Sequence, residues 1–317
     1  MPYRPRPLDT RVASRRLTLF SAVTLAVTVS APAAAQPARD VVRATRTWRE
    51  AREPAIVREL ATLTAIPNLA SDSVNIRRNA DTLIAMFTRR GFSARRLDNG
   101  AFPPAVYAER RTPGATRTIV FYAHYDGQPV TPSQWKSAPW SPVLRTRALE
   151  DGGQDMAIPA SGRLDPEARL YARSVSDDKG PIIAFLAAMD ALDAAKTKPS
   201  VNLKVFLDGE EEAGSEHVEG LLQQHKQLLA ADAWIFGDGP VHQSRKPQIV
   251  FGVRGTIGAE LTVYGPLRAL HSGHYGNWAP NPAIRLANLL ATMRTDNGDI
   301  TIKGFHDDVL PPTAAEQ

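Results

Sequence analysis

The feature that most constrains the fold of this chain is a pair of acidic residues at the start of an apolar helix. Residues 176–180 have the sequence Ser-Asp-Asp-Lys-Gly and are followed by an apolar run that begins at Pro181. Acidic side chains stabilise a first helical turn, because the unpaired backbone N–H groups and the helix dipole favour negative charge there. Taken alone, Asp177 and Asp178 therefore indicate an ordinary acidic helix start.

Three further segments change that interpretation, because each follows an apolar run that predicts a strand. The three are His124-x-Asp126, Glu210-Glu211-Glu212 and Asp238. The carboxyl ends of the strands in an α/β sheet meet in one crevice. Carboxylates and imidazoles are ligands of zinc and similar cations. Together with Asp177, these segments predict a metal site.

Each segment also has an ordinary explanation. A histidine beside an acid is common on a surface, an acidic run is usually an exposed turn, and Asp238 lies between two glycines, where aspartate favours turns. Against this, a continued strand places His124 and Asp126 on one face, where the carboxylate can orient the imidazole. One glutamate of the run can ligate while its neighbour acts as a base. Judged by its neighbours alone, His271 is an ordinary surface histidine.

Residues 1–35 have the pattern of an export signal. Arginines come first, an apolar run follows at 17–30, and small residues suited to cleavage occupy 33–35. The apolar run is too short to span a bilayer, so no stable membrane insertion is expected. The sequence Ser-Arg-Arg-Leu at 14–17 partly matches a twin-arginine motif, which leaves Sec and Tat export equally open. The expected location is the periplasm or the extracellular medium.

Composition narrows the classes of partner and of metal. The leader carries five arginines and one aspartate of the chain's 38 basic and 33 acidic residues, so the remainder has a net charge of +1. Such a balance provides no basic stripe for nucleic acid. The chain has no cysteine, which excludes disulfides and thiolate ligands and leaves His, Asp and Glu to bind a metal. That ligand set favours a catalytic metal over a structural zinc.

Alternating helices and strands predict an α/β fold with a mainly parallel sheet flanked by helices. The helices are predicted at residues 53–65, 73–90, 180–196, 220–230 and 282–294. The strands are predicted at residues 92–97, 105–109, 118–123, 201–207, 233–236 and 257–264. Residues 135–167 are rich in Pro, Gly and Asp and predict a long surface excursion, which Trp135 and Trp140 pack down.

The character of the sequence changes after Gly255, which predicts a second domain. Residues 36–252 are expected to form the N-terminal part of a larger domain, and residues 253–317 the start of the next. The second part contains about one strand–loop–helix unit, which is too little to bury a core of its own. The chain is therefore expected to be truncated at its C-terminal end.

Four motifs carry a resemblance to a known family. They are YAHYDGQPV at 122–130, YARSVSDDKG at 171–180, EEEAGSE at 210–216 and LHSG at 270–273. In order and spacing they resemble the M20 family of metallopeptidases, and its carnosinase-like dipeptidase branch in particular. The resemblance implies that residues 36–252 belong to a zinc-peptidase-like catalytic domain and that an inserted α+β dimerisation (lid) domain, incomplete here, begins at 253. Ala172 departs from the family, which usually has glycine there.

The same resemblance implies a site for two Zn²⁺ ions, with Mn²⁺ or Co²⁺ as other candidates. The implied metal ligands are His124, Asp177, Glu212 and Asp238, with Asp177 shared by both ions; a further histidine of the family's site is expected beyond Gln317. Glu211 is implied as the general base and Asp126 as the support of His124. His271 is implied to reach the site of a neighbouring subunit. The 177–178 peptide bond is implied to be cis, and Asp178 is expected to cap the following helix.

The expected function is that of an exported zinc-dependent hydrolase that cleaves peptide bonds of dipeptides or short peptides as a homodimer. The resemblance leaves an N-acyl-amino-acid deacylase or desuccinylase as the first alternative. A catalytically inactive metal-binding dimerisation module is the second, and the presence of Glu211 argues against it. This chain alone is expected to be poorly active. Substrate side-chain preference and the native metal stay open at this point.

Overall fold

The computed structural model describes residues 38–239, 241–246, 248–253 and 255–314. The expected export signal lies outside these residues. Backbone contacts divide the chain into two compact units, residues 1–240 and 241–317, and each is described here by itself. The assignment of 36–252 to a catalytic domain and of 253–317 to a lid domain stays a prediction. Among the described helices, none has the length and apolar character needed to cross a membrane.

The described part of the first unit contains five α-helices and eight strands. The helices are α1 (Ala38–Glu50), α2 (Glu53–Thr64), α3 (Ser73–Thr88), α4 (Lys179–Ala194) and α5 (Val218–Gln224). The strands are β1 (Ser93–Leu97), β2 (Ala105–Arg110), β3 (Thr118–His124), β4 (Val143–Arg145), β5 (Asp155–Met156), β6 (Arg169–Tyr171), β7 (Asn202–Asp208) and β8 (Ala233–Phe236). Every helix and strand predicted before residue 240 is present, with ends that differ by no more than six residues.

Five strands form the main sheet in the order β1-β2-β7-β3-β8. The strands β7, β3 and β8 are parallel, whereas β1 pairs with β2, and β2 with β7, in antiparallel register. The α/β fold is confirmed, and the sheet is mixed. The antiparallel pairing of β1 with β2 follows from the short connection at 98–104, since parallel neighbours need a crossover of a dozen or more residues.

Helices cover both faces of this sheet. Alternate residues of the central strands, such as Val106 and Val205, pack against α2, α3 and α4 in one core. The residues between them, such as Tyr107 and Phe206, point to the opposite face and pack with Leu221 of α5. This alternation is the two-residue period of a strand, and it makes the central strands apolar on both sides. The site residues at the strand ends therefore rest on a rigid sheet.

Substitution Ile76→Val in α3 is expected to lower the free energy of unfolding by about 0.5–1.5 kcal/mol, because it removes one buried methylene from a packed core. The Ile76 side chain is 1% exposed and belongs to the core under the sheet. Val74 lies on the same helix and is 75% exposed. Its replacement by alanine is the matched control, with a change below about 0.5 kcal/mol. Urea unfolding measures both, and equal changes would contradict the burial described here.

The excursion at 135–167 contains more regular structure than its composition predicts. Its strand β4 pairs with β5 on one side and with β6 on the other, in a small antiparallel sheet of order β5-β4-β6. Short strands among Pro, Gly and Asp leave too little periodicity to be recognised in the sequence. The packing role expected for the tryptophans is found: Trp140 donates its Nε1–H to Asn68 Oδ1 at 3.1 Å, and the Arg173 guanidinium lies 5.1 Å from the Trp135 ring centre.

The second unit contains two helices among its described residues, α6 (Ser272–Tyr275) and α7 (Pro282–Ala291). The helix predicted at 282–294 is therefore present. The strand predicted at 257–264 is wrong: all eight residues are described, and none is in a strand. Tyr264 and Ile257 at its two ends are exposed. A strand needs a neighbour to pair its backbone, and no described residue supplies one here.

Candidate metal centre

Three neighbouring parallel strands bring the candidate residues to one edge of the main sheet. The relevant positions are His124 at the end of β3, Glu210 two residues after β7, and Asp238 two residues after β8. In the ladder, His124 is opposite Asp208, the last residue of β7. Because β7, β3 and β8 are adjacent and parallel, their carboxyl ends open into the same crevice. The convergence predicted from the sequence is thus present in the fold.

Three side chains in this crevice are arranged as a metal-binding group. The Nε2 atom of His124 lies 2.8 Å from Oδ1 of Asp177 and 3.9 Å from Oδ2 of Asp238. One potential ligand atom from each residue lies within 4.8 Å of the other two. His124 is buried, whereas the Asp177 side chain is 67% exposed and faces the open side. One imidazole and two carboxylates match the ligand set of a catalytic zinc, with a fourth place for water.

Asp126 is buried behind His124 and holds the acidic turn in place. Its Oδ1 accepts the backbone N–H of Glu211 at 3.1 Å, and its Oδ2 accepts that of Glu212 at 3.0 Å. The same Oδ1 lies 3.3 Å from Nδ1 of His124, an ion-pair distance. A carboxylate with charged and N–H partners is retained in a buried position because each partner offsets its loss of hydration. Asp126 therefore joins the histidine to the acidic turn.

The three consecutive glutamates point into three different environments. Glu210 turns inwards, where it accepts the backbone N–H of His217 at 2.7 Å and contacts its Nδ1 at 3.0 Å. Glu211 points to the candidate metal centre, with Oε2 3.8 Å from Nε2 of His124. Glu212 accepts a hydrogen bond from Nε2 of Gln128. The group of three potential ligands identified by distance contains none of these glutamates.

Negative charge accumulates in the crevice and contributes to the raised pKa values of His124 and Glu211. Burial lowers the pKa of His124, but Asp126 and other nearby carboxylates outweigh this effect and raise it to about 10. Burial raises the pKa of Glu211, and the charges of Asp238 and Glu212 raise it further against the opposing effect of His124. Like charges held this closely favour a bound cation or a bound proton. The electrostatics of the crevice are those of a cation site.

Asp178 does not cap α4 through its side chain, which corrects the expectation from the sequence. It occupies the N-cap position but makes no side-chain capping hydrogen bond. Its Oδ2 instead accepts the backbone N–H of His124 at 3.1 Å. Burial raises its pKa to about 7. The peptide bond between Asp177 and Asp178 is cis, as the resemblance implied.

Substitution Asp178→Ala is expected to lower the free energy of unfolding by about 1–3 kcal/mol, because it leaves the buried N–H of His124 without an acceptor. Asp178→Asn is the matched control, since its amide oxygen can accept the same N–H. The free energy of unfolding of both variants is measured in urea. An alanine variant as stable as the asparagine variant would contradict the contact with His124.

His271 lies in the second unit and immediately precedes α6. Its Nδ1 accepts the backbone N–H of Gly273 at 3.0 Å, so the imidazole caps the helix at the N-cap position. The ring centre of His274 is 4.8 Å from that of His271. The role predicted for His271 at a neighbouring subunit's site stays a prediction.

The sequence predicts no role for two residues that lie at the site. Asn68 is completely buried and bonds to the chain beside His124, and Lys179 is buried beneath the turn that carries Asp177. Asn68 follows an Ile-Pro pair, a local pattern that predicts only the end of a helix. Both have partners more than 50 residues away, so no local pattern marks them.

Comparison with known proteins gives a matching family model and several relatives. Residues 120–315 match the family model described as Peptidase family M20/M25/M40. The Cys-Gly metallodipeptidase dug1 of Schizosaccharomyces pombe is 29% identical over 82% of this chain and 54% of its own length. A succinyl-diaminopimelate desuccinylase of Paracidovorax citrulli is 31% identical over 71% of this chain and 52% of its own length.

The fold agrees as well. The crystal structure of the M20 family metallo-carboxypeptidase Sso-CP2 from Sulfolobus solfataricus superposes with a TM-score of 0.60 at 29% identity, over 82% of this chain and 55% of that one. The chain thus spans about half the length of the relatives it matches. The family match covers more than half of the chain and includes the strand ends and the acidic turn that form the crevice. We conclude that this chain belongs to peptidase family M20/M25/M40.

Proposed function

We propose that this protein is a zinc-dependent hydrolase that cleaves the peptide bond of dipeptides or short peptides. The observation that carries the proposal is the group formed by His124, Asp177 and Asp238 at the carboxyl ends of parallel strands, with Glu211 beside it. In the proposal, these three residues hold one zinc ion. Asp177, which is largely exposed, and Glu212 take part in holding a second.

When bound, zinc supplies a Lewis acid that polarises the scissile carbonyl and brings the pKa of a bound water towards about 7. Glu211 is the general base that removes a proton from the attacking water. The same carboxyl then returns a proton to the leaving amine. Its raised pKa, which follows from burial and from nearby carboxylates, suits a group that must both accept and donate a proton.

The other side chains hold the base and the ligands in position. Asp126 accepts the N–H groups of Glu211 and Glu212 and faces the imidazole of His124. Asp126 thereby fixes the orientation of the base, Glu211, relative to that of the ligand His124. His271 would stabilise the oxyanion from the lid of a partner subunit in a homodimer. That role and export to the periplasm or the medium are proposed on sequence grounds.

A deacylase or desuccinylase is the second candidate, since a desuccinylase is among the relatives described above. Both reactions hydrolyse an amide bond and need the same base, so only the substrate pocket separates them. The test is a substrate panel with zinc present: Cys-Gly, β-Ala-His and other dipeptides against N-succinyl-diaminopimelate. We expect chelator-sensitive hydrolysis of dipeptides. Preferential hydrolysis of the succinyl substrate would support the second candidate, and absence of all zinc-dependent hydrolysis would support an inactive binding module.

A further inference from the structure

The connection between α2 and α3, residues 65–72, reaches the candidate metal centre through one completely buried side chain, that of Asn68. Its Nδ2 donates to the carbonyl oxygen of Tyr125 and to Oγ of Ser174, both at 2.9 Å. Its Oδ1 accepts the indole N–H of Trp140 at 3.1 Å. Both donors and the acceptor of the amide are therefore used, and its orientation is fixed by the bonds.

The partners of Asn68 lie next to the residues of the site. Tyr125 separates His124 from Asp126, so the bond to its carbonyl fixes the chain between these two side chains. The Ser174 hydroxyl donates to the Asp126 carbonyl oxygen at 3.3 Å and lies three residues before Asp177. The packing here is tight, because a Cβ added at Gly127 would lie 2.3 Å from Ser174 Oγ.

The same connection is held from the other side by Lys179, which is also completely buried. Its Nζ donates to the carbonyl oxygens of Leu63 at 3.0 Å and Ile66 at 3.2 Å. Leu63 lies in the last turn of α2 and Ile66 lies two residues beyond the end of that helix, where the helix dipole favours a cation. Lysine is rarely buried completely. Here its position ties the turn that carries Asp177 to the α2–α3 connection.

We propose that Asn68 is a positioning residue of the metal centre. With Lys179, it makes the α2–α3 connection a brace that sets the spacing between the chain at His124 and the turn at Asp177. Asn68 lies outside the set of candidate ligands and acts on them only through Tyr125 and Ser174. The part of the proposal that concerns metal affinity rests on the proposed function, whereas the part that concerns the acidic turn rests on the contacts alone.

The test compares Asn68→Asp with Asn79→Asp in the full chain. Asn79 is the matched control: it is also completely buried, and its Nδ2 donates to two backbone carbonyls, those of Pro67 and Asn75, both at 2.8 Å. It therefore holds the same connection at Pro67, but no hydrogen bond among the described residues joins it to Tyr125 or Ser174, so the comparison isolates the links from Asn68 to the site. Each substitution replaces a donor by an oxygen that faces other oxygens, the Tyr125 carbonyl and the Ser174 hydroxyl at position 68 and two carbonyls at position 79, so both variants are expected to lose stability. Only Asn68→Asp is expected to weaken binding of Zn²⁺, by about 10–100-fold, as loss of an outer-shell partner does.

The affinities are measured by competition with a chelating dye, at a temperature where circular dichroism shows each variant to be folded. Co²⁺ absorption spectra report the ligand geometry, which is expected to change in Asn68→Asp and to stay the same in Asn79→Asp. If Asn68→Asp does not fold, Ser174→Ala is measured instead. It removes the hydroxyl that links Asn68 to the carbonyl oxygen of Asp126, with a smaller change of volume. Equal zinc affinities and equal spectra for the variant and its control would overturn the proposal.

A second measurement separates this proposal from the proposed function. The backbone N–H groups of Glu211 and Glu212 donate to Asp126, which is not one of the three candidate ligands grouped by distance. Their hydrogen exchange, followed by NMR without metal, is expected to be at least about tenfold faster in Asn68→Asp than in Asn79→Asp, as a loss of about 1.4 kcal/mol of local stability would produce. If the wild-type chain binds no zinc but the two variants still differ in exchange in this way, the proposed function is refuted and the brace is retained. Equal exchange would refute the brace.

Discussion

Glu211→Gln is expected to leave zinc bound and to lower the turnover of dipeptides by about 10²–10⁴-fold, the range over which a general acid–base group contributes. Glutamine has the size of glutamate and retains the backbone N–H that Asp126 accepts. It cannot take a proton from water. The loss is therefore expected in kcat, with the zinc content of the protein unchanged.

The measurement pairs zinc content, by atomic emission, with initial rates on Cys-Gly over a range of concentrations. Glu216 provides the control, because it is exposed and follows the same acidic turn. Glu216→Gln should retain both zinc and turnover. A Glu211→Gln variant with normal turnover would show that the base lies elsewhere, and Glu212, the neighbour in the turn, would then be tested.

Asp177→Asn is expected to weaken zinc binding by more than about 100-fold. Losing a residue that only supports a ligand costs up to about 100-fold, and losing a ligand itself should cost more. The Asp177 carboxylate lies 2.8 Å from Nε2 of His124 and, in the proposal, is shared by two ions. An asparagine side chain carries no charge and is a poor zinc ligand. Both ions are therefore expected to be lost together, and turnover with them.

Asp178→Asn is the control for this prediction, because it makes the same replacement of a carboxylate by an amide at the adjacent residue. Its amide oxygen can still accept the N–H of His124, so its zinc affinity should fall much less than that of Asp177→Asn. Calorimetric titration with Zn²⁺ gives both the affinity and the number of ions bound per chain. Equal losses in the two variants would contradict the separate roles of the two acids.

The parts of the fold that the sequence predicts well are those with a strong local pattern. The apolar run at 118–123, followed at once by His124, predicts a central strand, and in the structure it forms β3 between β7 and β8. Parallel strands then bring their ends together whatever their order in the sheet, so the convergence of His124, Glu211 and Asp238 needs only the fold class. The order of the strands cannot be predicted in this way, and the antiparallel half of the sheet was not recognised.

The failures concern contacts between distant residues. Asp178 has the position and the chemistry of a helix cap, and only the three-dimensional structure brings the N–H of His124 within its reach. The residues at 257–264 have a strand pattern without a described partner strand, so the pattern is not realised. Asn68 and Lys179 are polar residues whose partners lie far away along the chain, and polar residues of this kind are predicted as exposed unless their partners are known.

The strand order of the main sheet has a consequence for the time course of folding. Strands β2 and β3 are consecutive in the sequence but are separated in the sheet by β7, which ends 84 residues after β3. During synthesis at about 5–20 residues per second, β7 is therefore completed roughly 4–17 s after β3, and until then β3 has no neighbouring strand to pair with. Because loop closure precedes such long-range pairing, the domain belongs to the slow-folding class, and the apolar β3 is open to misassociation throughout that interval.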